Sequence, residues 1–260
     1  MRVFDFGVAI VREPGESVVH GLREGAHDGP SYEGVKAEHA AYVAALRRAG
    51  LDVEVLAPLE AFPDSVFVED PALVFPEGAV LLRPGAQSRI GEAAELAPAL
   101  SRHFERVVPL PRGFADGGDV LVTPEAVLIG LSKRTDAQGA RALAETLAGF
   151  GRAARVVAPP PGALHLKTAC ALVDEETVLA TGPMARSGLF DGLRVLETPD
   201  GEEAAANALR VNDTVLAGAR YPRALEMLDA HGLRVVPLPT DQIARVDAGL
   251  SCMSLRWKRG

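Results

Sequence analysis

A short apolar phrase stopped by proline returns five times along this chain, and it constrains the fold more than any other feature. It reads "DVEVLAPL" from Asp52, "RVVPLP" from Arg106, "RVVAPPP" from Arg155, "RVLETP" from Arg194 and "RVVPLP" from Arg234. Successive copies start about 40 to 55 residues apart, in or just beyond the range that marks repeated units. Each reads as a buried strand ending in a turn, because β-branched residues favour extended backbone and proline interrupts the ladder.

A second phrase accompanies the first. "ALVFPEGAVLLRP" from Ala72, "DVLVTPEAVLIGLS" from Asp119, "ALVDEETVLATGP" from Ala171 and "ALRVNDTVLAGAR" from Ala208 are each two apolar runs around a polar turn. That is the pattern of a hairpin. The first unit opens instead with "VFDFGVAIV".

Helices fill the spans between hairpin and final strand. Over 31–49, Val35, His39, Tyr42 and Leu46 fall on one face, with Ser31 as cap and Gly50 as stop. A second helix near 88–104 contains Pro98, which predicts a kink. "TDAQ" at Thr135 to Gln138 is a capping-box pattern for the third, and a short fourth is expected near 183–191. Pro222 and Gly232 bracket the fifth.

Five hairpin–helix–strand units must hide five sets of sheet edges, and closure around an axis does so. An open doubly wound sheet predicts single strands alternating with helices, not hairpins. The expected architecture is therefore α/β, a radially closed ring of repeated units. No linker or low-complexity stretch divides residues 1–260, so one domain is expected.

Composition narrows the function. With 48% hydrophobic and 24% charged residues, a full core can form. A net charge of −8 leaves no basic excess to replace phosphate counterions, which disfavours nucleic-acid binding. Two cysteines make neither a disulfide framework nor a CxxC metal spacing, and they fit a reducing, cytoplasmic compartment. "MRVFDFGVAIVREP" reads as a strand rather than a signal peptide, and no apolar run of about 18 residues would span a membrane. Neither HExxH, an EF-hand, a GxGxxG after a strand nor a GxxxxGK[ST] occurs.

Chemistry could reside in four stretches, each with an ordinary alternative. "FPDSVFVED" at Phe62 to Asp70 holds Asp64, Glu69 and Asp70; it is either a solvated turn or a carboxylate cluster for a guanidinium. Strand parity puts Asp64 and Asp70 on one face and Glu69 on the other. In "FADGGDV", paired glycines permit close backbone approach, and Asp116 either sits in a simple turn or fixes a histidine's tautomer. In "LHLKTAC", His165 follows a proline-rich loop where repeated turns converge, though a lone histidine is usually structural. In "VDAGLSCMSLRW", Cys252 is either a small buried hydrophobe or a nucleophile, whereas Cys170 reads as structural. Arg89, Arg134 and Arg220 lie near turns, where surface arginine is the default.

In order, "FPDSVFVED", "LLRPGAQSR", "DGGDVL", "GLSKRT", "LHLKTAC" and "VDAGLSC" resemble the dimethylarginine dimethylaminohydrolases, in the guanidine-modifying (pentein) superfamily. The resemblance runs from about Val19 to Cys252. It implies a five-bladed, pseudo-symmetric α/β propeller of ββαβ repeats. It implies Cys252 as nucleophile, His165 as general acid and base, and Asp116 orienting His165. Asp64, Glu69 and Asp70 would line the substrate site, the last two near the guanidinium. Arg89 and Arg134 would hold the α-carboxylate. The carbonyls of Leu22 and Val246, with Asp64, would hold the α-amino group. The loop from about Glu13 to Ser31 would be a lid.

The implied partner is a small guanidino amino acid, taken by a monomer or homodimer without metal or organic cofactor. The implied reaction is hydrolysis of Nω-methylated arginines to citrulline. Arginine deiminases carry an aspartate two residues after the histidine, where this chain has Lys167, and that favours a methylated substrate. "CMS" at Cys252 to Ser254 resembles arginine deiminases instead, so arginine or another small guanidine stays open as substrate. Some pentein-fold proteins are binding proteins lacking the cysteine; the joint presence of Cys252, His165 and Asp116 argues for an enzyme.

Overall fold

The computed structural model describes residues 3–24 and 28–259. Its elements follow the repeated phrases. The chain opens with β1 (Val8–Arg12), α1 (Tyr32–Arg48) and β2 (Asp52–Leu56). Next come β3 (Ala72–Phe75), β4 (Gly78–Leu81), α2 (Glu92–His103) and β5 (Val107–Pro109). The third unit is β6 (Val120–Val122), β7 (Val127–Gly130), α3 (Ala137–Ala148) and β8 (Ala154–Val157). The fourth is β9 (Cys170–Leu172), β10 (Thr177–Ala180), α4 (Gly182–Ala185) and β11 (Arg194–Glu197). The fifth is β12 (Leu209–Val211), β13 (Thr214–Gly218), α5 (Pro222–Ala230) and β14 (Arg234–Leu238), followed by β15 (Leu255–Trp257).

Five three-stranded sheets result: β15-β1-β2, β3-β4-β5, β6-β7-β8, β9-β10-β11 and β12-β13-β14. In each, the middle strand pairs antiparallel with the first and parallel with the last. The parallel step needs a crossover, which the helix supplies. β15 packs on β3, and β9 packs on both β6 and β12. These first strands surround a cavity to which all five sheets contribute residues. The architecture is a pseudo-symmetric five-bladed α/β propeller.

The first blade has no hairpin. β1 takes β15 from the far end of the chain, with Val8 opposite Trp257 and Ile10 opposite Leu255. The opening phrase thus supplies one strand of the pair expected from it. The proline-stopped strands are not the buried strands expected. β5, β8 and β11 carry only half-buried and exposed residues, and Val55 and Val156 rank among the exposed large hydrophobics. Each pairs on one side only, so its other edge faces outward. The middle strands β7, β10 and β13 are buried at every residue.

Most helix expectations match in place. Ser31 caps α1 by accepting from Gly34 N, and Val35, His39, Tyr42 and Leu46 are buried. α2 starts later than expected, because Gln87–Arg89 form a separate 3₁₀ turn, and it contains Pro98. The capping box at "TDAQ" does not form. Asp136 caps α3 by accepting from Gly139 N at 2.6 Å, because the Thr135 hydroxyl turns inward to Asp119 Oδ2 at 2.7 Å. α4 is a single turn at the start of the expected span. Among the described residues, no helix is long and apolar enough to cross a membrane.

Candidate active site

The segments that enter each inner strand converge on the axis. Asp70 precedes β3, Asp116 and the turn Gly117–Asp119 precede β6, and His165 and the turn Leu166–Thr168 precede β9. The turn Leu250–Met253, which holds Cys252, precedes β15. A cavity opens among them, lined by Leu22, Asp64, Asp70, Arg89, Arg134, His165, Val246 and Cys252, with Glu24 and Asp247 also in its wall. Eight of the residues named from sequence therefore meet in one place. Asp116 stands behind His165, and Glu69 faces elsewhere.

His165 Nε2 lies 3.0 Å from Asp116 Oδ2. Asp116 is fully buried, and its Oδ1 accepts from Gly85 N at 2.7 Å. Asp119 braces the arrangement from below by accepting from Leu166 N at 2.9 Å, Ser132 Oγ at 2.6 Å and Thr135 Oγ1 at 2.7 Å. Gly118 is required here: a Cβ would sit 2.8 Å from His165 Nδ1. Burial disfavours the imidazolium, but the charges of Asp70, Asp119 and Asp116, with the Asp116 hydrogen bond, outweigh it and raise His165 to about 9.

Cys252 is half-buried and unpaired, and its N–H donates to Gly249 O at 3.2 Å. Burial, then the charges of Glu69 and Asp70, push its thiol up to about 11. A backbone hydrogen bond at Gly249 and the Lys167 charge pull weakly the other way. Near neutral pH Cys252 is therefore a thiol, in the same cavity as the His165 imidazolium. A cationic ligand in the cavity would favour the thiolate. Cys170 is fully buried at the start of β9, and burial pushes its thiol to about 12.

The two arginines differ. Arg89 is buried and almost fully committed: Nη1 donates to Asp70 Oδ2 at 2.5 Å, Nε and Nη2 to Glu92, and Nη2 to Phe67 O at 2.9 Å. Burial works against Asp70, yet Arg89 and His165 hold it down at about 2. Burial raises Glu92 to about 7 even beside Arg89. Arg134 is half-buried in the cavity wall and makes no ion pair among the described residues. Asp64, whose carbonyl accepts from Arg89 Nη2 at 3.3 Å, accepts through Oδ1 from Leu22 N at 3.0 Å. Asp247 Oδ2 accepts from Glu24 N at 2.5 Å, which ties the 13–31 loop to the segment before Cys252. Residues 25–27 of that loop, with His27, lie outside the described residues.

Residues 62–71 form turns rather than a strand, so strand parity does not apply; Glu69 nevertheless lines the larger cavity, and Asp64 and Asp70 line the smaller one. Lys167 Nζ meets it at 2.6 Å and Arg256 Nη2 at 3.3 Å. Its N–H donates to Cys252 O at 3.1 Å. Glu69 thus holds the backbone of Cys252, and the Lys167–Glu69 pair lies between the two cavities. The larger cavity is mainly apolar and holds neither His165 nor Cys252.

Asp70, Asp116 and His165 also bring three ligand atoms within 4.8 Å of one another, the geometry of a possible metal site. Sequence spacing predicts no such set, because the three come from separate blades. Each carboxylate oxygen already makes one hydrogen bond: Arg89 and Gly118 N contact Asp70, and Gly85 N and His165 contact Asp116. The set suits proton handling. Asp119 and Lys167 gain supporting positions that sequence reasoning did not give them. Asp119 lay inside "DGGDV", and the separation from Leu166 hid their contact.

A family model described as Arginine deiminase matches residues 58–204. The chain is 37% identical to N(G),N(G)-dimethylarginine dimethylaminohydrolase of Pseudomonas aeruginosa, over 95% of this chain and 98% of that protein. It is similar to the solved Pseudomonas aeruginosa enzyme, a cysteine-to-serine mutant complexed with citrulline, with a TM-score of 0.94 and 36% identity, covering 97% of this chain and all of that one. It is also similar to a dimethylarginine dimethylaminohydrolase adduct with S-methyl-L-thiocitrulline, with a TM-score of 0.93 and 37% identity, covering 96% of this chain and 99% of that one.

Proposed function

The chain belongs to the dimethylarginine dimethylaminohydrolase family, and from that premise we propose that residues 1–260 form one catalytic domain that hydrolyses Nω-methylated arginines to citrulline and methylamines. The observation that carries the reading is the single cavity that joins Cys252, His165, Asp70 and Arg134. Cys252 is the nucleophile, His165 the acid and base, and Asp116 the group that orients it.

The substrate guanidinium lies against Asp70, whose low pKa keeps it anionic. Arg134, without an ion pair of its own, carries the α-carboxylate, and Arg89 adds charge from behind. Asp64 and the carbonyls of Leu22 and Val246 receive the α-amino group. Glu69 acts on Cys252 through the backbone rather than on the guanidinium.

Resonance makes the guanidinium carbon a poor electrophile, so a thiolate is needed. The bound cation favours loss of the Cys252 proton to solvent, and the thiolate forms a C–S bond to the guanidinium carbon, giving a tetrahedral adduct. The His165 imidazolium gives its proton to the departing amine as the C–N bond breaks, because an amide anion cannot leave. A covalent thiouronium remains. His165, now neutral, takes a proton from water; the hydroxide adds to the thiouronium carbon, and the C–S bond breaks to release citrulline and restore the thiol.

Methylated arginine is favoured over arginine because Lys167, paired with Glu69, stands where deiminases place an aspartate. Two free cysteines and a reaction that needs a reduced thiol suit a reducing cytoplasm, with the chain acting as a monomer or homodimer. The test is citrulline release from asymmetric dimethylarginine and, in parallel, from arginine. No citrulline above a Cys252→Ser control would end the proposal; faster turnover of arginine would reassign the substrate.

A further inference from the structure

Every blade sends one polar side chain to the axis from the same place, just before its inner strand. Asp70 precedes Ala72 of β3, Asp116 precedes Val120 of β6, His165 precedes Cys170 of β9, and Cys252 precedes Leu255 of β15. The remaining blade offers Asn207, at the end of the 3₁₀ turn Glu203–Ala206 and just before Leu209 of β12. Four of these five residues have a place in the reaction above. Asn207 has none, yet it lies against the sulfur.

Asn207 Oδ1 accepts from Ser251 N at 3.2 Å. That bond sets which way the carboxamide faces, since only the oxygen can accept from an N–H. Nδ2 is thereby turned to Cys252 Sγ at 4.0 Å. The side chain is also clamped. A Cβ on Gly249 would lie 2.2 Å from Asn207 Cγ, so the Cys252 loop reaches its position only with glycine there. The other side-chain group near the sulfur among the described residues is Ser251 Oγ, also at 4.0 Å, which can either donate or accept. Nδ2 can only donate. Around it the fixed charges of Glu69 and Asp70 oppose a thiolate, so a dedicated donor matters more here than beside an ordinary cysteine.

We propose that Asn207 is the hydrogen-bond donor that orients the Cys252 sulfur and stabilises its thiolate. The proposal rests on Cys252 being the nucleophile. A neutral thiol gains little from the contact, whereas an N–H donated to a thiolate is charge-assisted and stronger. The contact therefore acts as the proton leaves, which is when the reaction needs it.

Two variants test it. Asn207→Asp keeps the size and the acceptor for Ser251 N–H but removes the donor. Gly249→Ala keeps every polar group and drives the carboxamide off the sulfur without adding charge. The first readout is alkylation of Cys252 by iodoacetamide across pH, with the modified residue located by mass spectrometry. Both variants are expected to alkylate about tenfold more slowly at a fixed alkaline pH, with the alkaline limb displaced upward. The second readout is citrulline formation, where kcat is expected to fall about tenfold or more and KM to change little. An unmoved alkylation limb in whichever variant stays folded would overturn the proposal, as would a loss confined to KM or thermal stability. The alkylation arm uses no substrate. Absence of citrulline from the wild-type protein would thus count against the functional reading and leave the alkylation result to judge Asn207.

Discussion

His165 and Asp116 meet through Nε2 and Oδ2 at 3.0 Å, and Gly85 N holds the other carboxylate oxygen in place. In the proposed mechanism Nδ1 is then the ring nitrogen that exchanges protons with substrate and water. Asp116→Asn keeps the shape and removes the charge that favours the imidazolium. We expect kcat to fall about 100-fold or more in a variant that still folds. A fall of less than threefold in a steady-state citrulline assay would show that Asp116 does not orient the acid.

The same histidine couples pH to stability. Its folded pKa is raised from 6.5 to about 9, so the native state holds a proton that the unfolded chain has lost. This stability is fully present below about pH 6.5 and is lost as pH rises through about 9. The slope in that window approaches one proton, about 1.4 kcal/mol per pH unit. Denaturant unfolding of the wild type and of His165→Ala between pH 6 and pH 10 measures it. Equal slopes for both proteins would refute the assignment.

Cys252 should discriminate reagents by charge. Burial, with the charges of Glu69 and Asp70, keeps it protonated, so neutral iodoacetamide at neutral pH is expected to react more slowly than with a model thiol. A cationic haloacetamidine brings its own positive charge to the sulfur and is expected to react at least about tenfold faster than iodoacetamide, after correction for their rates with the model thiol. Equal corrected rates would mean that the cavity does not sense the cation.

Trp257 links stability to the site. It is 5% exposed at the end of β15, with its ring 5.0 Å from both Phe104 and His103. Trp257→Ala is expected to cost about 3–5 kcal/mol of stability. It should also lower kcat, because β15 begins just after the Cys252 turn. Wild-type kcat in a variant destabilised to that extent would separate the strand from the site.

The hairpins and helices were legible because their apolar periods and caps are local. Ser31 and Pro222 sit where the sequence puts them. The outward exposure of β5 and β8 was not legible, since a run such as Val107–Val108 has the same composition at an edge as in a core. Thr135 was misread as a cap because its true partner, Asp119, belongs to the preceding hairpin. At the site, strand parity could not separate Glu69 from Asp64 and Asp70, because the segment folds as turns ahead of β3. The commitment of Arg89 to Glu92 and Asp70 could not be read, because it depends on how the Gln87–Arg89 turn folds back. Asn207 carries no motif; only the repeat, seen in three dimensions, places it beside the sulfur.

The pairing of β1 with β15 also sets an order in time. The hairpins of the other four blades join neighbours in sequence and can form early, whereas Val8 meets Trp257 only after nearly the whole chain is enclosed between them. The Cys252 turn is anchored by that last contact. During refolding, strand content is therefore expected to recover before citrulline-forming activity, and activity to appear together with burial of Trp257. The propeller's seam works as a clock: the sulfur gains its surroundings when the ring shuts, and not before.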